Sequence, residues 1–100
     1  SNGKRRVDIV VGVSYRADIK KTKEVLQAVI DGEPCCLTEE EKMVFVSDLA
    51  ESSVNMGVRL WVKSEDYWQT RWRMMENIKY ALDENGIEIP FPQMDVTLKQ

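Results

Sequence analysis

Apolar positions along the chain change period several times, and each change marks an element. Over residues 7–15, Val7, Ile9, Val11, Val13 and Tyr15 alternate with Asp8, Val10, Gly12 and Ser14. Period two with β-branched residues predicts a strand. Val10 adds an apolar residue to its second face, which predicts a central position in the sheet. Asp18 is then placed to cap a helix. Ile19, Thr22, Val25, Leu26, Val29 and Ile30 share one helical face, and Lys20, Lys21, Lys23, Glu24 and Gln27 share the other. Gly32 and Pro34 end it.

Residues 33–42 are polar, with an acidic run Glu39-Glu40-Glu41, and read as a solvated loop. Residues 43–49 and 53–63 return to period two. Ala50-Glu51-Ser52 between them is short enough for a hairpin. Gly57 in mid-strand marks a bulge or a close backbone approach. Ser64 or Asp66 caps a second helix reaching about residue 84, with Tyr67, Met74, Ile78, Ala81 and Leu82 as its apolar stripe. Asn85-Gly86 is a left-handed stop. A short strand follows at residues 87–89, and Pro90 and Pro92 interrupt it because neither can donate to a ladder. The order β-α-β-β-α-β predicts an α+β domain of the ferredoxin-like plan, an antiparallel sheet with both helices on one face. One strand is left over. Residues 94–98 alternate Met94, Val96 and Leu98 against Asp95 and Thr97, behind a Pro-x-Pro spacer that stiffens the chain. Such a tail has a use if it pairs with the same tail of other subunits and closes the open edges.

Composition narrows the function classes. A chain of 100 residues with 43% apolar and 31% charged residues has the make-up of one globular domain. A net charge of −3 gives no long-range attraction to nucleic acid or to an anionic membrane surface. The one basic run, Lys4-Arg5-Arg6, reads as a solvated start of the domain. No apolar run approaches the roughly 20 residues that cross a bilayer. Ser1-Asn2-Gly3 resembles the remnant of a cleaved expression tag, so the domain is expected over residues 4–92 and the terminal strand over 93–100. With no His and no CxxC, the usual zinc sites and the Ser-His and Cys-His pairs are absent. No metal, cofactor or catalytic residue is expected. Cys35-Cys36 could bridge only through a strained ring, so both read as reduced thiols.

Several runs carry a family resemblance. Ser52-Ser53-Val54-Asn55, Val58-Arg59-Leu60-Trp61-Val62, WRMMENIK over 72–79 and the tail GIEIPFPQMDV over 86–96 resemble the end of subunits of the small-conductance mechanosensitive channel (MscS) family. Val11-Gly12-Val13-Ser14-Tyr15 followed by Ala17-Asp18-Ile19 resembles the family's strand-to-helix turn. The resemblance covers residues 7–98, and the tail is its most specific part. It implies a subunit of a ring, heptameric in the best-known case, with transmembrane helices, a middle β domain and then this domain. The soluble parts form a hollow cage on the cytoplasmic side of the membrane, beneath a pore that releases ions and osmolytes on hypo-osmotic shock. Met94, Asp95, Val96, Thr97 and Leu98 are then the oligomer interface, one strand of a small parallel barrel shared by identical subunits. The pore-lining helix and the middle β domain are not in this sequence.

Two other readings compete. A ferredoxin-like regulatory domain would bind a small ligand at a sheet edge. An acylphosphatase-like hydrolase would use the turn ending in Arg16 as a phosphate cradle with Asn55 as partner, though that family's glycine-rich loop is missing. Trp68 and Trp72, four apart on one helix, are expected against the sheet or a neighbouring subunit. Trp61 points to the strand face opposite Val58 and Leu60. Met74 and Met75 are expected to fill gaps in the core.

Overall fold

The computed structural model describes residues 3–92. The chain runs β1 (Lys4–Val13), α1 (Ile19–Asp31), β2 (Met43–Leu49), β3 (Val54–Lys63), a 3-10 turn (Ser64–Asp66) and α2 (Tyr67–Glu84). The three strands form an antiparallel sheet in the order β1-β3-β2. The register pairs Val7 with Leu60, Ile9 with Val58 and Val13 with Val54 across β1 and β3, and Val44 with Val58 across β2 and β3. All of these side chains therefore stand on one face. Leu26 and Ile30 of α1 and Met74, Ile78 and Leu82 of α2 cover that face and close the core. The α+β class with two helices on one side of an antiparallel sheet is as expected.

β1 starts three residues earlier than its apolar alternation suggested. Lys4, Arg5 and Arg6 pair with Lys63, Val62 and Trp61, so the basic run is part of the sheet while its side chains remain exposed to solvent. Cross-strand partners extend a strand beyond its hydrophobic pattern. β1 is also an edge strand, not a central one, and Val10 is 61% exposed. An apolar residue on the second face marks a position something else can cover, which need not be another layer of the same chain.

Asp18 caps α1 as expected, accepting from Lys21 N at 3.1 Å. At α2 no side chain caps. Residues Ser64–Asp66 wind into a 3-10 turn and Tyr67 N donates to Ser64 O, so the backbone serves its own first amides. The far end stops at Gly86, φ 67°, where Ile87 N donates to Leu82 O at 2.9 Å. The sheet irregularity lies on β2 between Val46 and Asp48, not at Gly57. Gly57 is the close approach instead. Phe45, its cross-strand partner, lays its ring over the glycine, where any Cβ would collide with it.

The expected fourth strand forms no ladder. Residues 87–89 reach the free edge of β1 and make one backbone bond to it, Ser14 N donating to Glu88 O at 2.9 Å. Antiparallel steps of two from that bond would set Pro90 opposite Gly12 and Pro92 opposite Val10. Both prolines would turn their missing N–H toward β1, so the ladder ends where it begins. Asp8 O, on the same edge by period two, is taken by Arg71 Nη1 at 2.7 Å. The terminal strand expected over 94–98 lies outside the described residues.

Two substitutions test this packing. Gly57→Ala is expected to lower stability by about 1–3 kcal/mol in urea denaturation, and by much less in a Phe45→Ala background. Thr70 Oγ1 is buried and has no hydrogen-bond partner among the described residues. Thr70→Val should therefore raise stability by about 1 kcal/mol.

Candidate functional site

Four places carry exposed or polar groups worth testing as a site. The first is the outer face of α2. Thr70, Met74, Ile78 and Leu82 turn inward, which sends Trp68, Trp72 and Met75 outward at the same helical spacing. Trp68 and Trp72 are 54% and 62% exposed, so in this chain they do not pack on the sheet. Met75 is half exposed as well; of this adjacent pair Met74 alone fills the core. Tyr67 meets Trp68 edge-on with centroids 5.0 Å apart, and Trp68 meets Trp72 at 6.0 Å. Arg5 from β1 sits 3.6 Å above the Tyr67 ring. The strip continues past Met75 into a crevice of about 100 Å³ lined by Val10, Val11, Ile78 and Ile89 at the free edge of β1. Aromatic and apolar residues thus lie beside unfilled strand edge, a combination that suits a protein surface.

The second place is the sheet face without helices. Asp8 accepts from Arg59 Nε at 2.7 Å and from Arg6 Nε at 2.8 Å. Partial burial pushes its carboxyl upward, but the two guanidinium groups outweigh this and hold it below the usual range. Arg59 also stands 5.1 Å from the centre of the Phe45 ring. It is therefore engaged on two sides rather than poised for an anion. Trp61 lies on this face opposite Arg6 and is partly covered.

The third place is the β1–α1 turn, the imagined phosphate cradle. Three of its amides are already used. Ser14 N donates to Glu88 O, Arg16 N to Ser14 Oγ at 3.0 Å, and Ala17 N to Ser14 O at 3.0 Å. Asn55 Oδ1 accepts from Ser53 Oγ at 2.8 Å. The turn spends the amides of Ser14, Arg16 and Ala17 on its own structure, which leaves them unavailable to a phosphate. For the ligand-binding reading, two open grooves of about 400 and 430 Å³ run beside α1, lined by Lys21, Glu24, Val25, Ala28 and Asp31 among others. Neither brings convergent polar groups together. Among the described residues no three His, Cys, Asp or Glu side chains gather to hold a metal.

The fourth place is an ion pair, buried on its Glu33 side and partly exposed on its Arg73 side, that sequence reading missed, since it took residues 33–42 as a solvated loop. The side chain of Glu33 has no exposure at all and takes a two-pronged bond from Arg73, Nε at 3.0 Å and Nη2 at 2.6 Å. It also accepts from Cys35 N at 2.9 Å. Burial pushes the Glu33 carboxyl up, but the Arg73 fork and the Cys35 amide prevail and leave it below the ordinary value. Forked pairing of this kind is the strong form of a charged hydrogen bond. The signal in the sequence was an acid directly after a helix stop, which nothing distinguishes from a solvated one without its distant partner.

Arg73→Ala should cost about 2–3 kcal/mol, because it strands a buried carboxylate. Two carboxyls, Glu33 and Asp8, are held below their unfolded values, so the unfolded chain takes up protons first as pH falls. Stability should be complete above about pH 4.5 and fall through the acid range below it. The fall should be shallower in Glu33→Gln, as read by denaturation midpoints against pH.

The comparisons with known proteins converge. The family described as "Mechanosensitive ion channel MscS, C-terminal" matches residues 7–89. A small-conductance mechanosensitive channel of Edwardsiella ictaluri is 47% identical over 97 residues, which are 97% of this chain and 34% of that protein. An uncharacterized MscS family protein of Synechocystis is 48% identical over 96 residues, 96% of this chain and 32% of its own length. The crystal structure of Helicobacter pylori MscS in its closed state superposes with a TM-score of 0.88 at 35% identity, covering 98% of this chain and 39% of that one. The chain thus spans about a third of the length of these relatives. With the family match spanning the sheet and both helices, this chain belongs to the MscS family of mechanosensitive ion channels and carries its C-terminal domain.

Proposed function

We propose that this domain serves assembly in a mechanosensitive channel subunit, forming part of a cage on the cytoplasmic side of the membrane beneath the pore. The observation that carries the reading is the outward strip of Trp68, Trp72 and Met75 beside the incomplete edge of β1. Large aromatic residues left half exposed on a stable helix are expensive in water and are characteristic of protein interfaces. Identical subunits arranged in a ring, seven in the expected assembly, would cover them. The membrane is reached through segments of the parent outside this chain. The parent releases ions and small osmolytes when tension opens it, and the cage domain filters what reaches the pore.

The tail supplies the second half of the reading. In a ladder continued from Glu88, Pro90 and Pro92 would meet the β1 edge with no N–H to offer, which argues against this segment adding to its own sheet. Met94, Asp95, Val96, Thr97 and Leu98 are then free to join a parallel barrel with the same residues of the other subunits. Residues 4–92 act as the folded unit, 93–100 as the shared strand, and 1–3 as a tag remnant.

Deleting residues 93–100 should leave the domain folded with an unchanged denaturation midpoint, yet lower the thermal stability of the ring formed by the full-length channel. Trp68→Ser with Trp72→Ser should behave alike, since exposed substitutions shift stability of the domain by only about 0.5 kcal/mol. Size-exclusion chromatography and native mass spectrometry of the full-length protein read the outcome. Undiminished assembly of both variants would refute the assembly role.

A further inference from the structure

β1 is an edge strand of 10 residues, and its register with β3 runs from Lys4 to Val13 without a break. A long, regular edge is a template for a further strand. The other edge strand, β2, has 7 residues and carries the irregularity between Val46 and Asp48, which makes it a poorer template. On β1, Asp8 O and Ser14 N are both bonded by groups outside the β1–β3 ladder, so amides and carbonyls of even-numbered residues point away from β3. Val10 lies between them on the same edge, with its side chain 61% exposed. Residues 87–92 of the same chain add no strand there. An incoming strand would instead meet Arg71 of α2, whose Nη1 donates to Asp8 O at 2.7 Å.

We infer that Arg71 guards this edge, keeping β1 from pairing with β1 of a second copy of the chain about a two-fold axis through Val10. The edge is its own complement in that register. Antiparallel pairing about Val10 sets it against Val10 of the second copy, Asp8 against Gly12 and Gly12 against Asp8. Two exposed apolar side chains then meet across the strands, and no like charges stand opposite each other. A pairing centred on Asp8 would instead set two carboxylates face to face. Each Asp8–Gly12 pair needs the Asp8 carbonyl to accept from the Gly12 amide, and Arg71 holds that carbonyl. Its guanidinium is permanently charged, and its bond to a carbonyl is stronger than the neutral amide bond that would replace it. The two-fold axis doubles the effect, so both pairs flanking Val10 lose a bond. Ser14 N, spent on Glu88 O, ends the ladder further along. A two-fold pair closes on itself and offers no head-to-tail continuation, so keeping it shut leaves copies free for a ring. The guard is separate from the ring contact proposed above and does not depend on it.

The test is sedimentation equilibrium of the 100-residue chain and its variants, with circular dichroism to check that each is folded. Arg71→Met keeps the apolar stem on α2 and frees the Asp8 carbonyl, whereas Arg71→Lys keeps a charged donor there. Arg71→Met should dimerise at least about tenfold more tightly than the parent chain, and Arg71→Lys should stay close to the parent. Arg71→Ala frees the same carbonyl and should agree with Arg71→Met. In the dimer the amides of Val10 and Gly12 should exchange more slowly, while those of β2 stay unchanged. Val10→Lys puts like charges opposite each other on the axis at an exposed position. Added to Arg71→Met, it should return the affinity to that of the parent. Mixed with a chain carrying Arg71→Met and Val10→Glu, the same double variant should form a heterodimer. Folded Arg71→Met and Arg71→Ala chains that associate no more tightly than the parent, a dimer that Val10→Lys leaves in place, or Lys and Glu variants that fail to pair would each overturn the inference.

Discussion

β3 is hydrogen-bonded along both edges and buried along its helix side, and every other element takes its place from that. Its helix-side residues, Val54, Met56, Val58, Leu60 and Val62, are all buried. A strand with five consecutive same-face apolar residues has only one register that keeps them dry, because a slip of one residue would turn all five into water. β1 and β2 pair with it in that register, and α1 and α2 close the face. The opposite face is covered only in part. The Phe45 ring fills the space above Gly57, and Arg59 reaches over it to Asp8. An aromatic ring over a strand glycine restores the packing that the missing side chain gave up.

A three-stranded sheet has two open edges, and the two are handled unequally. Along β1, Arg71 occupies one carbonyl and Glu88 one amide, and two prolines stop the following segment from adding as a strand. This edge is thus engaged in mid-strand at Asp8 and just past its end at Ser14, with Val10 between them exposed and Trp68 and Trp72 exposed on α2. A monomer would gain by burying such a strip. Under the assembly proposed above, copies of the domain would cover it.

The charged groups sort by burial rather than by number. Lys4–Glu40 and Lys79–Asp83 lie at the surface, where water and salt screen them. Glu33 with Arg73 is another matter, since removing either partner leaves a charge or a fork without its complement. That pair also explains how a polar ten-residue connection stays ordered: it is nailed to α2 at one end and to β3 through Leu37.

Local pattern alone was sufficient for the type and order of the three strands and two helices. Periods of two and of 3.6 report which side of an element is dry, and that is a local property. It also sufficed for Asp18 as a cap and for Gly86 as a stop, because both act within one turn of backbone. The family resemblance rested on such runs too, above all the tail around Pro90 and Pro92. What the chain order could not reveal were relations between residues far apart. Glu33 and Arg73 are 40 positions apart, so a buried fork looked like a solvated loop. Val10 could not say whether its face met a layer or water, so an edge strand looked central. Trp68 and Trp72 fit a core stripe as well as a surface one until α2 was rotated to bury Thr70 and Met74. Burial and pairing across the sheet are set by the three-dimensional arrangement of distant segments, and only the tertiary structure decides them.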